Sequence, residues 1–217
     1  MLAMNILGTA ATIFTTKADL QAAVQEYDAN QTAAIATHGA IAGWNVSPIT
    51  DMSELFARLQ NFNADISSWD TSSVTSMSVM FGTGMFFSAS TFNQPLSLDT
   101  SSVTDMHGMF RSASAFNQPL SLDTSSVTDM GGMFGSASAF NQLLSFDTSS
   151  VTNMLAMFYD ASAFNQPLSF DTSRVTEMDG MFFSASAFNQ PLSLDTSRVT
   201  DMNYMFEVLS CSSALAI

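Results

Sequence analysis

Positive charge is what this sequence most lacks. Its 217 residues include 5 Lys or Arg against 19 Asp or Glu, a formal net charge of −14. Lys17 is the only lysine, and Arg58, Arg111, Arg174 and Arg198 are the only arginines. Phosphate backbones are held by clustered cations that displace condensed counterions, so nucleic acid and anionic membrane surfaces are excluded as partners. Cysteine is nearly absent too: Cys211 stands alone, which excludes an intrachain disulfide framework. The two histidines, His38 and His107, fall in a linker and at a variable position, and no Ser-His-Asp or Cys-His set is suggested. No enzyme, cofactor or metal is expected on this basis. No apolar run reaches the roughly 18–20 residues of a bilayer span. Met1–Phe14 is apolar but broken by Asn5, Thr9 and Thr12 and has no basic lead-in. It reads as an N-terminal extension or a signal remnant, Ala10 and Ala11 being small enough for a cleavage site. Charged residues are scarce at 11%, yet 47% are hydrophobic, so the chain is not a disordered acidic tail.

What the sequence has in abundance is itself. The unit FNQPLSLDTSSVTDMxxMFxSASA returns every 24 residues, marked by Phe92, Phe116, Phe140, Phe164 and Phe188 and by Met106, Met130, Met154, Met178 and Met202. Two divergent copies precede these, with Met52 and Met77 standing 25 apart and Met77 and Met106 standing 29 apart. The longer gap holds a stutter, Val79–Phe87, that reads as a loop insertion. A unit this short cannot bury its apolar side alone, whereas stacked copies share one core. Leu96 and Leu98 flank Ser97, the alternation of a short strand. Asp99–Ser102 is turn chemistry. Met106, Met109 and Phe110 lie three and four apart, as on one helical or 3-10 turn. The inward groups are therefore expected to be Phe92, Leu96, Leu98, Val103, Met106, Met109 and Phe110 with their equivalents. Asn93, Asn117, Asn141, Asn165 and Asn189 form a column suited to satisfying backbone groups at a corner.

The chain divides into 1–14, the extension; 15–43, a capping helix and linker; 44–206, a seven-coil repeat solenoid; and 207–217, a C-terminal tail. Thr15–Asn30 reads as the helix, with Thr16 and Asp19 forming a capping-box-like start and Leu20, Ala23, Val24 and Tyr27 sharing one face. A solenoid needs its first coil covered, and this helix would do so.

WNVSPITDMSELF, FNADISSWDTSSVTSMSVMF and FNQPLSLDTSSVTDMHGMF resemble the BspA-like surface-antigen leucine-rich repeats, more narrowly the WDVSxVTDMxxMFxxAxxFN class of microbial and algal surface proteins. The resemblance spans about Trp44 to Phe206. It implies a leucine-rich-repeat-like right-handed coil with short parallel strands, secreted or displayed at a cell surface and linked to adhesion or protein binding. It carries no catalytic residues. This copy departs from the pattern where Trp69 gives way to Leu98, Leu122, Phe146, Phe170 and Leu194.

The function expected is a non-enzymatic interaction, adhesion or assembly scaffold. Specificity would lie at the variable positions His107, Arg111, Leu155, Tyr159, Asp179, Phe183, Asn203 and Tyr204, which the repeat core does not need. Its partner would be a protein or a glycan rather than an anionic polymer, since a charge of −14 repels the latter. One alternative is ice or mineral binding through two exposed threonine columns, Thr100, Thr124, Thr148, Thr172 and Thr196, and Thr104, Thr128, Thr152, Thr176 and Thr200. A second is a structural subunit of a larger assembly, which would allow an intracellular or organellar complex instead of the surface. The paired columns Asp99/Asp105, Asp123/Asp129 and Asp195/Asp201 bring calcium to mind, but Asx-turns explain them more simply.

Overall fold

The computed structural model describes residues 12–82 and 89–207. Residues 1–11, part of the Val79–Phe87 stutter, and the tail with Cys211 lie outside the described residues.

The chain enters through two helices. α1 spans Lys17–Ala29, and Thr16 caps it by accepting from the Asp19 amide at 3.2 Å while its hydroxyl donates to Asp19 Oδ2 at 2.6 Å. The stretch expected to run on as linker holds a second helix, α2, Gln31–His38, and a 3-10 turn at Ile41–Gly43. Asn30 ends α1 and caps α2, its Oδ1 accepting from the Ala33 amide, so one residue breaks and restarts the helix. Leu20, Ala23 and Val24 are buried against the first unit, where Lys17 pairs with Asp51 at 2.9 Å and the Asn61 amide donates to Asp28. The extension ends earlier than its sequence suggests. Ile13 makes a parallel bridge with Asn45, and Phe14 is buried, so Thr12–Phe14 already belong to the packed structure.

From Trp44 onward each unit is bonded to the next. Parallel bridges run Asp51, Ser76, Asp105, Asp129, Asn153, Glu177, Asp201, keeping register across the 25- and 29-residue spacings. Every bridge is isolated, so the short strands expected at Leu96–Leu98 shrink to single pairings such as Leu96 with Leu120. The MxxMF segments differ more. No helical or 3-10 turn forms there among the described residues. Met109 N–H returns to Met106 O, Arg111 to Gly108 and Ala113 to Phe110, giving consecutive turns with positive φ at Gly108 (59°) and Ser112 (61°). The alternate amides of Met106, Gly108, Phe110 and Ser112 donate to Asp129, Gly131, Met133 and Gly135 of the next unit. Turn bonds within a unit and ladder bonds between units thus share the backbone groups evenly, which is why the segment needs neither helix nor strand.

The expected inward groups are buried except Leu168, Leu194, Val199, Met202 and Phe206, which are half-buried, and the phenylalanines form two interlocked columns. One runs from Phe56 through Phe81, Phe110, Phe134, Phe158 and Phe182 to Phe206, with ring centroids 5.0–5.9 Å apart. The other runs from Phe62 to Phe188 at 5.9–6.1 Å. Rings of the two columns meet at 4.1–4.3 Å. The tryptophans stay near the helices for a polar reason. Trp44 Nε1 donates to Gly39 O at 3.1 Å and Trp69 Nε1 to Ile41 O at 2.9 Å. In later units Leu or Phe fills the place, with no side-chain donor to satisfy.

Candidate functional site

With the interior filled by packed apolar side chains, the outward columns hold the candidate site. At the Asp–Thr–Ser corner, Asp99, Asp123, Asp147, Asp171 and Asp195 each accept from the amide of the Ser two residues on, at 2.9–3.0 Å. The serine hydroxyls and amides hold these carboxyls below the usual carboxylate range. These are Asx-turns. No group of three or more His, Cys, Asp or Glu able to hold a metal occurs among the described residues.

The threonine array is corrected here. Thr100, Thr124, Thr148 and Thr172 are buried and Thr196 is half-buried, so this column is not a surface. Its hydroxyls donate to Asp123, Asp147, Asp171 and Asp195 carbonyls of the next unit at 2.9–3.0 Å. Extended backbone alternates sides, so an outward Asp turns the following Thr inward. Thr104, Thr128, Thr152, Thr176 and Thr200 do reach the surface, wholly or partly. Each donates to the carbonyl of the equivalent threonine one unit back, at 3.1–3.4 Å. The array is one column wide, and its hydroxyl hydrogens point into the protein.

The asparagine column does serve a corner: each Oδ1 of Asn93, Asn117, Asn141 and Asn165 accepts the backbone amide of the next Asn at 2.9–3.0 Å.

The variable residues come together on the face formed by the positive-φ turns. His107, Leu155, Asp179 and Asn203 follow one another in one column; the backbone links Gly132 N–H to Leu155 O, Ala156 to Asp179 and Gly180 to Asn203. Arg111, Tyr159 and Phe183 share a second column with Gly135, joined by Ser136 N–H to Tyr159 O and Asp160 N–H to Phe183 O. Tyr204 lies between these columns, in the positive-φ position held by Gly108, Gly132 and Gly180.

The face changes character along its length. In the third and fourth units His107 Nδ1 lies 3.5 Å from Asp129 Oδ1, which also accepts from Asn153 Nδ2 at 3.2 Å. The hydrogen bond to Asp129 raises the His107 pKa above its ordinary value. Burial pushes the Asp129 carboxyl up, but His107, the Gly131 amide and Asn153 together bring it below its ordinary value. This chain of polar groups crosses Gly131, where a Cβ would stand 2.9 Å from His107 Nδ1. Arg111 lies over the next glycines, its Nη1 3.3 Å from where a Cβ of Gly132 would be. In the fifth and sixth units the rings of Tyr159 and Phe183 stack outside the core at 4.8 Å and 5°. Tyr159 is 37% exposed and Tyr204 64%, among the most exposed large side chains described. Sequence reasoning missed Asp129, Asn153 and Asp160 on this face. Only the inter-unit register brings Asp129 beside His107, though the recurring Gly at 108, 132 and 180 did announce a positive-φ turn.

Among known families, the model described as "Mycoplasma protein of unknown function, DUF285" matches residues 18–144 and 121–214. No curated protein and no solved structure matches the chain.

Proposed function

The chain belongs to the DUF285 family, BspA-like surface repeats in general, and from that premise we propose that it is a non-enzymatic interaction module. Its 24-residue units wind as a leucine-rich-repeat-type solenoid, of the narrower BspA-like class, and present an extended face to a protein or glycan at a cell surface. The observation that carries this reading is the separation of labour within each unit. From the second unit onward the Phe, Met and Val columns repeat without change, while His107, Arg111, Leu155, Tyr159, Asp179, Phe183, Asn203 and Tyr204 differ from unit to unit on one outward face. The non-enzymatic part is supported by the polar groups being engaged in structure: His38 with Glu26, His107 with Asp129, and the serines of the Asp–Thr–Ser corner in turns. No helix among the described residues is long and apolar enough to cross a membrane.

The test is a binding partner recovered with the full chain and then titrated against a protein lacking residues 117–164. That deletion removes two whole 24-residue periods and rejoins equivalent positions. Binding should fall by more than tenfold while a cooperative melt persists. Full-strength binding by the shortened protein would move the site to the helices or the tail and defeat the extended-face reading.

A further inference from the structure

The two halves of the outward face are not chemically alike, and the difference selects a partner. Upstream, the basic side chains of His107 and Arg111 stand among Asp105 and Asp129 over a floor of glycine. Downstream, the face carries Asp160, Glu177, Asp201 and Glu207, all exposed, and half-buried Asp179. The cations of that stretch, Arg174 and Arg198, sit in the corner column that holds Ser102 and Ser126 earlier, five residues before Asp179 and Asn203. Amid these carboxylates lie three aromatic rings that the fold does not need. Ala57 and Gly135 occupy the same column as Tyr159 and Phe183, so the fold closes there without a ring. Tyr204 has φ of 57° in a column where Gly108, Gly132 and Gly180 adopt the same conformation without a steric cost. Tyr159 also leans over Gly180, its Cδ2 3.9 Å from where a Cβ would stand, and so extends the ring surface into the next unit.

We propose that the face from Tyr159 to Glu207 docks a short arginine- or lysine-rich segment of a partner protein. Resting on the interaction-module reading, it narrows that reading to one patch and one partner chemistry. Tyr159 and Phe183 cover one face of each other, and a guanidinium laid flat on an outer face of that pair, or on Tyr204, is held by the ring's negative face. Its edge remains free for a neighbouring carboxylate, which it meets with paired hydrogen bonds. Asp160 beside Tyr159, and Asp201 beside Tyr204, supply such carboxylates. Successive units rise by about 4.8 Å, so the three rungs are spanned by roughly three residues of extended chain. The net charge of −14 steers a basic segment toward the molecule, whereas an acidic glycan would be repelled.

The experiment is fluorescence anisotropy of the full chain with a labelled peptide of three arginines alternating with glycine, at low and high salt. The double variant Tyr159→Ser/Phe183→Ser should bind it about tenfold more weakly, from roughly two- to fivefold per ring. The charge control Asp99→Asn/Asp123→Asn/Asp147→Asn removes three carboxylates from the corner and should cost less than twofold. Asp160→Asn/Glu207→Gln leaves every ring in place, and Asn tolerates the positive φ of 54° at position 160. It should weaken binding at low salt by several fold, and decides the matter if the aromatic double variant melts early. Equal losses from the corner and face variants would mean bulk charge alone and overturn the proposal. So would displacement of the peptide by a neutral polysaccharide, or a concentration-dependent dimer abolished by Tyr159→Ser. A native partner that binds the double variant at full strength, yet loses the chain lacking residues 117–164, would sink this inference and leave the interaction-module reading standing.

Discussion

Two aromatic stacks run along this molecule, one inside and one outside, and they are built from adjacent residues. Phe158 belongs to the inner column, fully buried, 5.7 Å from Phe134 and 5.4 Å from Phe182. Tyr159, the next residue, belongs to the outer pair with Phe183. The inner stack continues unbroken from Phe56 to Phe206, whereas the outer column reads Ala57, Gly82, Arg111, Gly135, Tyr159, Phe183, Glu207. In these two neighbouring columns the buried position is uniform and the outward one drifts. Uniformity at the inner position therefore marks packing, and drift at the outer one marks a side chain that the core does not fix.

The largest effect should come from exchanging the two neighbours for the same residue. Phe158→Asp places a carboxylate between two phenylalanine columns with no partner, a change of several kcal/mol that should abolish the cooperative melt. Tyr159→Asp should leave the melting temperature nearly unchanged, since surface substitutions stay within about 0.5 kcal/mol. Thermal melts followed by circular dichroism read both. If Tyr159→Asp were as damaging as Phe158→Asp, the outer pair would be part of the core and the distinction would collapse.

A second contrast sharpens the point with one residue type. Thr148 is buried and donates to Asp171 O at 2.9 Å, whereas Thr152 donates to Thr128 O, a carbonyl already taken by its own backbone amide at 2.9 Å. Thr148→Val removes the donor from the part-buried Asp171 carbonyl and should cost about 1 kcal/mol. Thr152→Val should cost less than about 0.5 kcal/mol in chemical denaturation. Equal costs would mean that the hydroxyls, not their surroundings, set the difference.

The threonines also show how far the sequence could be read. Periodicity alone picked out the buried Phe, Leu, Val and Met columns, because apolar groups recurring at one offset have few places to go but inward. It failed for Thr100 and its equivalents because a hydroxyl is polar by composition yet readily satisfied by a backbone carbonyl. The clue lay in alternation, for an outward Asp99 sends Thr100 inward. The Met106–Phe110 spacing suits a helical turn equally well, and only the glycines at 108, 132 and 180 argued otherwise. Ala156 and Tyr204 in the same column concealed that signal. The second helix was masked by a similar economy: Asn30 serves as both stop and start. The outward positions were legible as variable, but the contacts among them depend on which unit lies beside which, and His107 meets Asp129 only across a junction.

The positive-φ column offers a third, smaller contrast. Ala156 holds φ of 52° where Gly132 holds 61°. Ala156→Gly should stabilise the protein by up to about 1 kcal/mol, the left-handed penalty outweighing the flexibility that glycine adds to the unfolded chain. Gly132→Ala should destabilise by a similar amount, because its Cβ also meets Arg111 Nη1 at 3.3 Å. Same-sign changes in denaturant midpoint would show that the two turns are not equivalent.

The smallest effect expected is one of pH, and it belongs to the upstream half of the face alone. His107 is bonded to Asp129, which raises its pKa in the folded protein above the ordinary value near 6.5. A raised pKa means that folding favours the protonated ring. This contribution is fully present below the unfolded pKa of about 6.5 and is lost as pH rises through the folded value. Asp129 acts in the opposite window, since its lowered pKa gives a contribution present above about 3.9 and lost as pH falls through its folded value. The two partners are each more than a third exposed at the side chain, so solvent screening holds the effect well below 1 kcal/mol. Stability followed by urea titration should therefore decline slightly from just above pH 6.5 upward. His107→Gln should flatten that decline while leaving the profile near pH 4 to other carboxylates. The downstream half offers its own control, since Tyr159→Ser removes a face residue without touching the pair and should keep the parent's slope. A decline that survives His107→Gln would place the titrating group elsewhere and detach the pH effect from this face.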